Sequence, residues 1–172
     1  MLSRSTILET AAIMSALHQR VRETVVFREV GTKQWNAWRL ACRELHSAKL
    51  ATDFLWEDSF YQRLRAGERD AIEEAILFLE VDPWFFRSGY LKERLIRGLK
   101  ACPRKKKDDM RLRNVIWNVA NGRNRREFRN YCSLAAKVAT EEFMELLAKV
   151  SEAQDAAAKG KLSYLRRFLI RG

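Results

Sequence analysis

The amino-acid sequence predicts an all-α protein, a single-domain bundle of about seven or eight helices, with a solenoid-like stack of helical hairpins as the alternative arrangement. Three observations predict it. Apolar residues recur at spacings of three and four along most of the chain, which gathers them on one face of each helix. Only two prolines and seven glycines interrupt 172 residues, and the Val- and Thr-rich runs that favour strands are scarce. A hydrophobic fraction of 47% with five tryptophans suffices for a packed core at this length.

Ile7, Ala11, Met14, His18, Val21 and Val25 form one stripe and predict a first helix over about 5–28. His18 has no second histidine, cysteine or carboxylate at a ligand spacing, so it reads as a structural residue. Thr32 after Gly31 is an N-cap for a helix over about 33–53. Trp35 and Trp38 flank its first turn and are expected to pack rather than to hold a ligand. Trp56, Phe60 and Leu64 make a short apolar face that ends at Gly67, a natural C′ residue. Ile72, Ile76 and Leu79 mark a fourth helix, with Glu68, Asp70, Glu73 and Glu74 expected on its solvated side.

Asp82-Pro83 reads as a cap followed by proline at the first helical position. Trp84, Phe85 and Phe86 are expected to anchor that turn in the core, and Gly89 to separate it from a helix over 90–101. There Leu91, Leu95, Ile96 and Leu99 share one arc, and Arg94, Arg97 and Lys100 another. Asp108 and Asp109 suit the start of the next helix, whose Leu112, Val115, Ile116 and Val119 face inward. Asn114, Asn118 and Asn121 lie opposite, bordered by Arg111 and Trp117. A long helix is predicted from Asn124 to about 152, its stripe running through Cys132, Ala135, Ala139, Phe143, Leu146 and Val150. The domain is expected over 1–153. Residues 154–172 then form a linker, part of a linker-like stretch at 151–160, and a basic amphipathic helix with Leu162, Leu165 and Leu169 on one face. Phe86-Arg87-Ser88-Gly89-Tyr90 and Phe128-Arg129-Asn130-Tyr131 echo each other 42 residues apart, a spacing typical of helical repeats.

Charge carries the functional signal. Residues 1–86 hold 11 basic and 13 acidic side chains, a net of −2, and residues 87–172 hold 22 and 9, a net of +13. Within 87–129 alone the counts are 15 and 4. Such asymmetry points to an anionic partner. The candidate contacts are Arg94, Arg97 and Lys100 on one helix, Arg104, Lys105, Lys106 and Lys107 in a loop, Arg111 beyond it, and Arg123, Arg125, Arg126 and Arg129 in the first turns of the long helix. An anion at that last position would gain from the guanidinium groups and the helix N-terminus together. The expected function is non-enzymatic binding of nucleic acid, DNA or RNA, through this basic surface. The alternative is an interaction module or regulator docking an acidic partner protein on the same face. A weaker option is an anionic membrane surface bound by the terminal helix.

Catalytic chemistry is poorly represented. Two histidines form no zinc-binding helix, Glu-x-x-His does not occur, and no Gly-rich phosphate loop is present. Carboxylate-based nuclease chemistry through Asp108, Asp109 or Glu127 is the least remote enzymatic option. No metal or other cofactor is expected. Cys42, Cys102 and Cys132 are widely spaced and odd in number, which suits reduced thiols in a cytoplasmic protein. Glu9 interrupts the N-terminal apolar pattern, so no secretory leader is expected, and no apolar run approaches the ~18 residues of a membrane span.

Overall fold

The computed structural model describes residues 2–25, 29–150 and 156–171, and nine helices are assigned among them. These are α1 (Arg4–Thr24), α2 (Lys33–Ser47), α3 (Asp58–Ala66), α4 (Arg69–Val81), α5 (Ser88–Ala101), α6 (Lys106–Asn121), α7 (Phe128–Val138), α8 (Glu141–Val150) and α9 (Ala156–Arg171), with a 3-10 turn at Asp53–Trp56. No described helix is long and apolar enough to cross a membrane. Helix α4 packs on α6 and α5 on α7, so the α4–α5 and α6–α7 hairpins stack in the same order. Helices α1 and α3 cover the first hairpin, and α9 covers the second.

The apolar stripes meet in one core. Leu91, Leu95, Ile96 and Leu99 of α5, with Leu112 and Ile116 of α6, are fully buried, as the helical period requires. Leu162 and Leu165 seat α9 on its own fold. Several ends match their local signals. The Thr32 hydroxyl accepts the Trp35 N–H at 3.2 Å, and Gly67 closes α3 with φ +84°, a conformation that suits glycine. The three cysteines are free, and burial pushes the Cys132 thiol up to about 12.

Other expectations are corrected. Helix α2 ends at Ser47, short of 53, and Val25 is the last described residue of the first stripe. The helix expected over 124–152 is two helices. Its first residues form a loop, and the chain breaks again at Ala139 and Thr140, where Thr140 Oγ1 accepts the Phe143 N–H at 3.3 Å and Arg113 donates to the Val138 carbonyl at 2.9 Å. The break leaves Ala139 and Leu146 exposed. Of the expected linker, residues 151–155 lie outside the described residues, and 156–160 begin α9. Val81 and Asn121 end α4 and α6, and Ser88 and Phe128 begin α5 and α7, so the hairpins repeat at an offset of 40 residues rather than the 42 of the sequence echo.

The segment 82–90 departs furthest from expectation. Asp82 caps the end of α4 in the left-handed region, φ 50°, instead of starting a helix. Its carboxylate accepts from Lys92 Nζ and from Arg125 Nη1, both at 2.6 Å. Gly89 lies inside α5. Of the three aromatics only Phe85 turns to the core, edge-on to Phe78 at 6.4 Å, whereas Trp84 is 56% and Phe86 38% exposed.

Lys92, Arg125 and Glu127 are almost wholly buried, so Asp82 joins a charge-balanced quartet between the two hairpins. Burial raises the pKa of Asp82, but hydrogen bonds from Arg125 and Lys92 outweigh it and hold the carboxyl below its usual range. Asp108 is likewise held down by Arg69, whose two nitrogens each donate at 2.7 Å. A depressed carboxyl stabilises the fold fully above its unfolded pKa and loses that contribution as pH falls through its folded one. Urea midpoints measured against pH should therefore decline below about pH 4, and less steeply in Asp108→Asn. Asp82→Ala strands two buried cations and should cost about 3–5 kcal/mol by urea titration at pH 7.

Candidate nucleic-acid interface

The twelve basic residues marked by the sequence do not form one surface. Arg104–Lys107 precede or open α6, while Arg123–Arg126 follow its other end; at 1.5 Å per residue this 16-residue helix is about 24 Å long. The loop after Asn121 continues to Glu127, so Arg123, Arg125 and Arg126 are not in a first helical turn, and Arg129 alone lies within α7.

Among the described residues, six of the twelve meet carboxylates of their own chain. Arg94 pairs with Asp58 at 2.6 Å and Arg104 with Asp109 at 2.9 Å. Lys107 stands 3.7 Å from Glu73. Arg111 grips Glu80 through two bonds of 2.7 Å and also reaches Glu73, which clamps α6 to α4. Arg125 is buried on Asp82, and Arg126 approaches Glu93 at 3.3 Å. Arg104 is thus turned inward, its side chain 8% exposed, and Arg111 is structural. Of the acids expected on the solvated side of α4, Glu68 and Asp70 are exposed, whereas Glu73 takes Arg69 and Arg111 and Glu74 accepts the Leu2 N–H at 3.1 Å. Lys100 donates to Ser133 Oγ. Arg97, Lys105, Lys106 and Arg129 are exposed. Asn114 and Asn118 are also exposed, but Asn121 bonds the Trp117 carbonyl at 2.8 Å and Trp117 packs on the core.

A different constellation forms where the 82–87 and 122–127 loops face α1. A cleft of about 490 Å³ is lined there by His18, Arg22, Trp84, Tyr90, Arg126 and Glu127, among others. Arg123 lies 3.8 Å over the Trp84 ring and Arg126 3.9 Å over the Tyr90 ring, within cation–π range. Both rings still expose about half their surface. The His18 imidazole stacks on Phe86 with centroids 4.7 Å apart and planes 19° from parallel, so the structural histidine forms part of the cleft wall. A neighbouring cleft of about 400 Å³ shares Phe85, Phe86 and Arg87 and contains Trp56. The sequence named Arg123 and Arg126 but assigned Trp84 and Phe86 to the core and gave Tyr90 and Arg22 no role. The signal for them was the aromatic run itself, since three consecutive large rings cannot all face one core.

The alternative carboxylate chemistry loses its geometry. Asp108 is bound by Arg69 and by the Lys105 N–H at 2.9 Å, Asp109 by Arg104, and Glu127 sits beyond the far end of α6. Among the described residues no three His, Cys, Asp or Glu side chains converge as a metal site. Comparison with family models, with curated proteins and with solved structures returns no match to this chain.

Arg87 adds backbone strain to the site. It is exposed, it sits 5.7 Å over Trp56, and its φ is 69°. The left-handed conformation is imposed by the turn that closes reciprocally between Phe85 and Ser88, at 3.2 and 3.0 Å. A side chain there costs roughly 1 kcal/mol. Arg87→Gly should therefore be more stable than Arg87→Ala by about that amount in urea titrations, although both remove the same guanidinium. Equal midpoints would refute the strain.

Proposed function

We propose that the protein binds single-stranded nucleic acid, without catalysis, along the cleft between α1 and the two hairpin loops. The observation that carries this reading is that two exposed rings, Trp84 and Tyr90, line one groove with Arg126, while Arg123 lies over the Trp84 ring. Unpaired strands are held by such combinations, because every base has a face to stack and every link carries a phosphate charge. A duplex hides its base faces, so exposed rings would gain nothing from it. The overall charge of +11 would steer any polyanion toward the molecule. The basic residues near the start of α6 lie off the cleft, about the length of that helix away, and fit secondary contacts on a strand that runs beyond it.

Anisotropy of a labelled twelve-nucleotide dT strand tests this. With about four phosphates neutralised, log affinity should fall with log salt at a slope near −3, from ~0.7 per phosphate on single strands. Trp84→Ala and Tyr90→Ala should each weaken binding about tenfold, whereas Lys105, Lys106 and Lys107 changed together to Ala should matter less, because they lie off the cleft. Absence of binding at low salt, or tighter binding of the matching duplex, would overturn the proposal. The rival occupant is an acidic protein, since Trp, Tyr and Arg also dominate protein interfaces. A partner captured from extract and retained after nuclease treatment would favour it.

A further inference from the structure

Glu127 balances charge in the buried quartet, yet its hydrogen-bonding capacity is not used there. It lines a groove rich in arginine, yet it is 1% exposed and its Oε1 has no hydrogen-bond partner. The nearest cation, Lys92 Nζ, stands 4.0 Å away and already donates to Asp82 at 2.6 Å, so it is beyond hydrogen-bond range of Glu127. A buried carboxylate oxygen without a donor is costly. The backbone makes room for the carboxylate. Gly89 sits in the first turn of α5, where alanine would favour the helix by about 1 kcal/mol, and a Cβ there would lie 3.1 Å from Glu127 Oε2.

We infer that Glu127 accepts hydrogen bonds from the exocyclic amine of a single unstacked base held against Trp84 and Tyr90, so that the groove selects amine-bearing bases over thymine or uracil. This rests on the nucleic-acid reading above. The groove offers what each part of such a nucleotide requires. Ring faces take the base, the guanidinium groups of Arg22, Arg87 and Arg126 take phosphates, and the carboxylate takes N–H donors. An ionised carboxylate only accepts. Cytosine and adenine present one amine to it, and guanine presents adjacent N1–H and amine donors for a two-point contact. Thymine offers a single N–H flanked by carbonyl oxygens that the carboxylate repels.

The test compares a dT 12-mer with the same strand carrying one central dG, dC or dA, each titrated by anisotropy. The ratio of dG-strand to dT-strand affinity should be about ten for the wild-type chain, the scale of a good two-point base contact. It should fall to about one in Glu127→Gln, whose amide carries both a donor and an acceptor. Gly89→Ala, which presses on the carboxylate without removing its charge, should lower the ratio too and serves if Glu127→Gln fails to fold. Trp84→Ala should weaken all strands and lower the ratio less than Glu127→Gln does. A wild-type ratio of one with all strands bound overturns the role of Glu127 and leaves strand binding intact, as does an unchanged ratio in Glu127→Gln. No binding of any strand overturns both. Displacement of the strand by an equal concentration of guanosine monophosphate would overturn the assignment to a strand.

Discussion

The interaction on which the rest of this structure depends is the Asp82 carboxylate shared between Lys92 and Arg125. Lys92 belongs to the helix that follows Asp82 in its own hairpin, and Arg125 to the loop of the next hairpin. One carboxylate therefore fixes the turn inside a layer and the register between layers. Buried ion pairs are poor sources of net stability, because desolvation offsets most of their attraction. Their geometric demand is stricter than that of apolar packing, which tolerates small slides between helices. Forty residues on from Phe85 stands Arg125, so the second hairpin loop carries a charge where the first carries a ring. That difference makes the two loops complementary rather than merely repeated. It also brings Trp84 and Tyr90 from one loop region to Arg123 and Arg126 from the other.

The same logic explains why a basic stretch of sequence did not become a basic face. The acids of the first half, Asp58, Glu73, Glu80 and Asp82, are the partners of Arg94, Arg111 and Arg125 in the second. Charge that is segregated along the chain is thus recombined across helix contacts. Exposed members of these pairs contribute little to stability, but pairing removes them from the field available to a ligand. The arginines over Trp84 and Tyr90 differ in kind. A ring orders a guanidinium through its face without neutralising it, so these groups retain their charge and are already placed.

Helix faces were legible in the sequence because they depend on a period, and a period survives ignorance of the fold. Leu91, Leu95, Ile96 and Leu99 needed nothing else, and Thr32 and Gly67 act within three or four residues of themselves. Asp82-Pro83 failed for the opposite reason. Its local signal marks a helix start, but the carboxylate is claimed by groups 10 and 43 residues away, and long-range hydrogen bonds of 2.6 Å outweigh a capping preference. The break at Thr140 was within reach, since Thr140 followed by Glu141 and Glu142 is a helix-start pattern that a continuous apolar stripe obscured. The exposure of Trp84 and Phe86 was half legible: three consecutive rings cannot all face one core, but ring composition does not say which of them turns outward.

The loop of 82–87 is bracketed by two non-glycine residues in the left-handed region, Asp82 and Arg87. Both conformations are unfavourable, yet the reasons for tolerating them differ. At Asp82 the strain is offset by two buried ion pairs that need the carboxylate in that place. At Arg87 the return among the described residues is a single cation–π contact of an exposed side chain, 5.7 Å over Trp56. Glycine would satisfy the turn without strain. Retaining a strained arginine makes physical sense when its guanidinium serves something outside the chain. Arg87 stands between the two clefts and lines both, where a strand passing from one to the other would carry a phosphate.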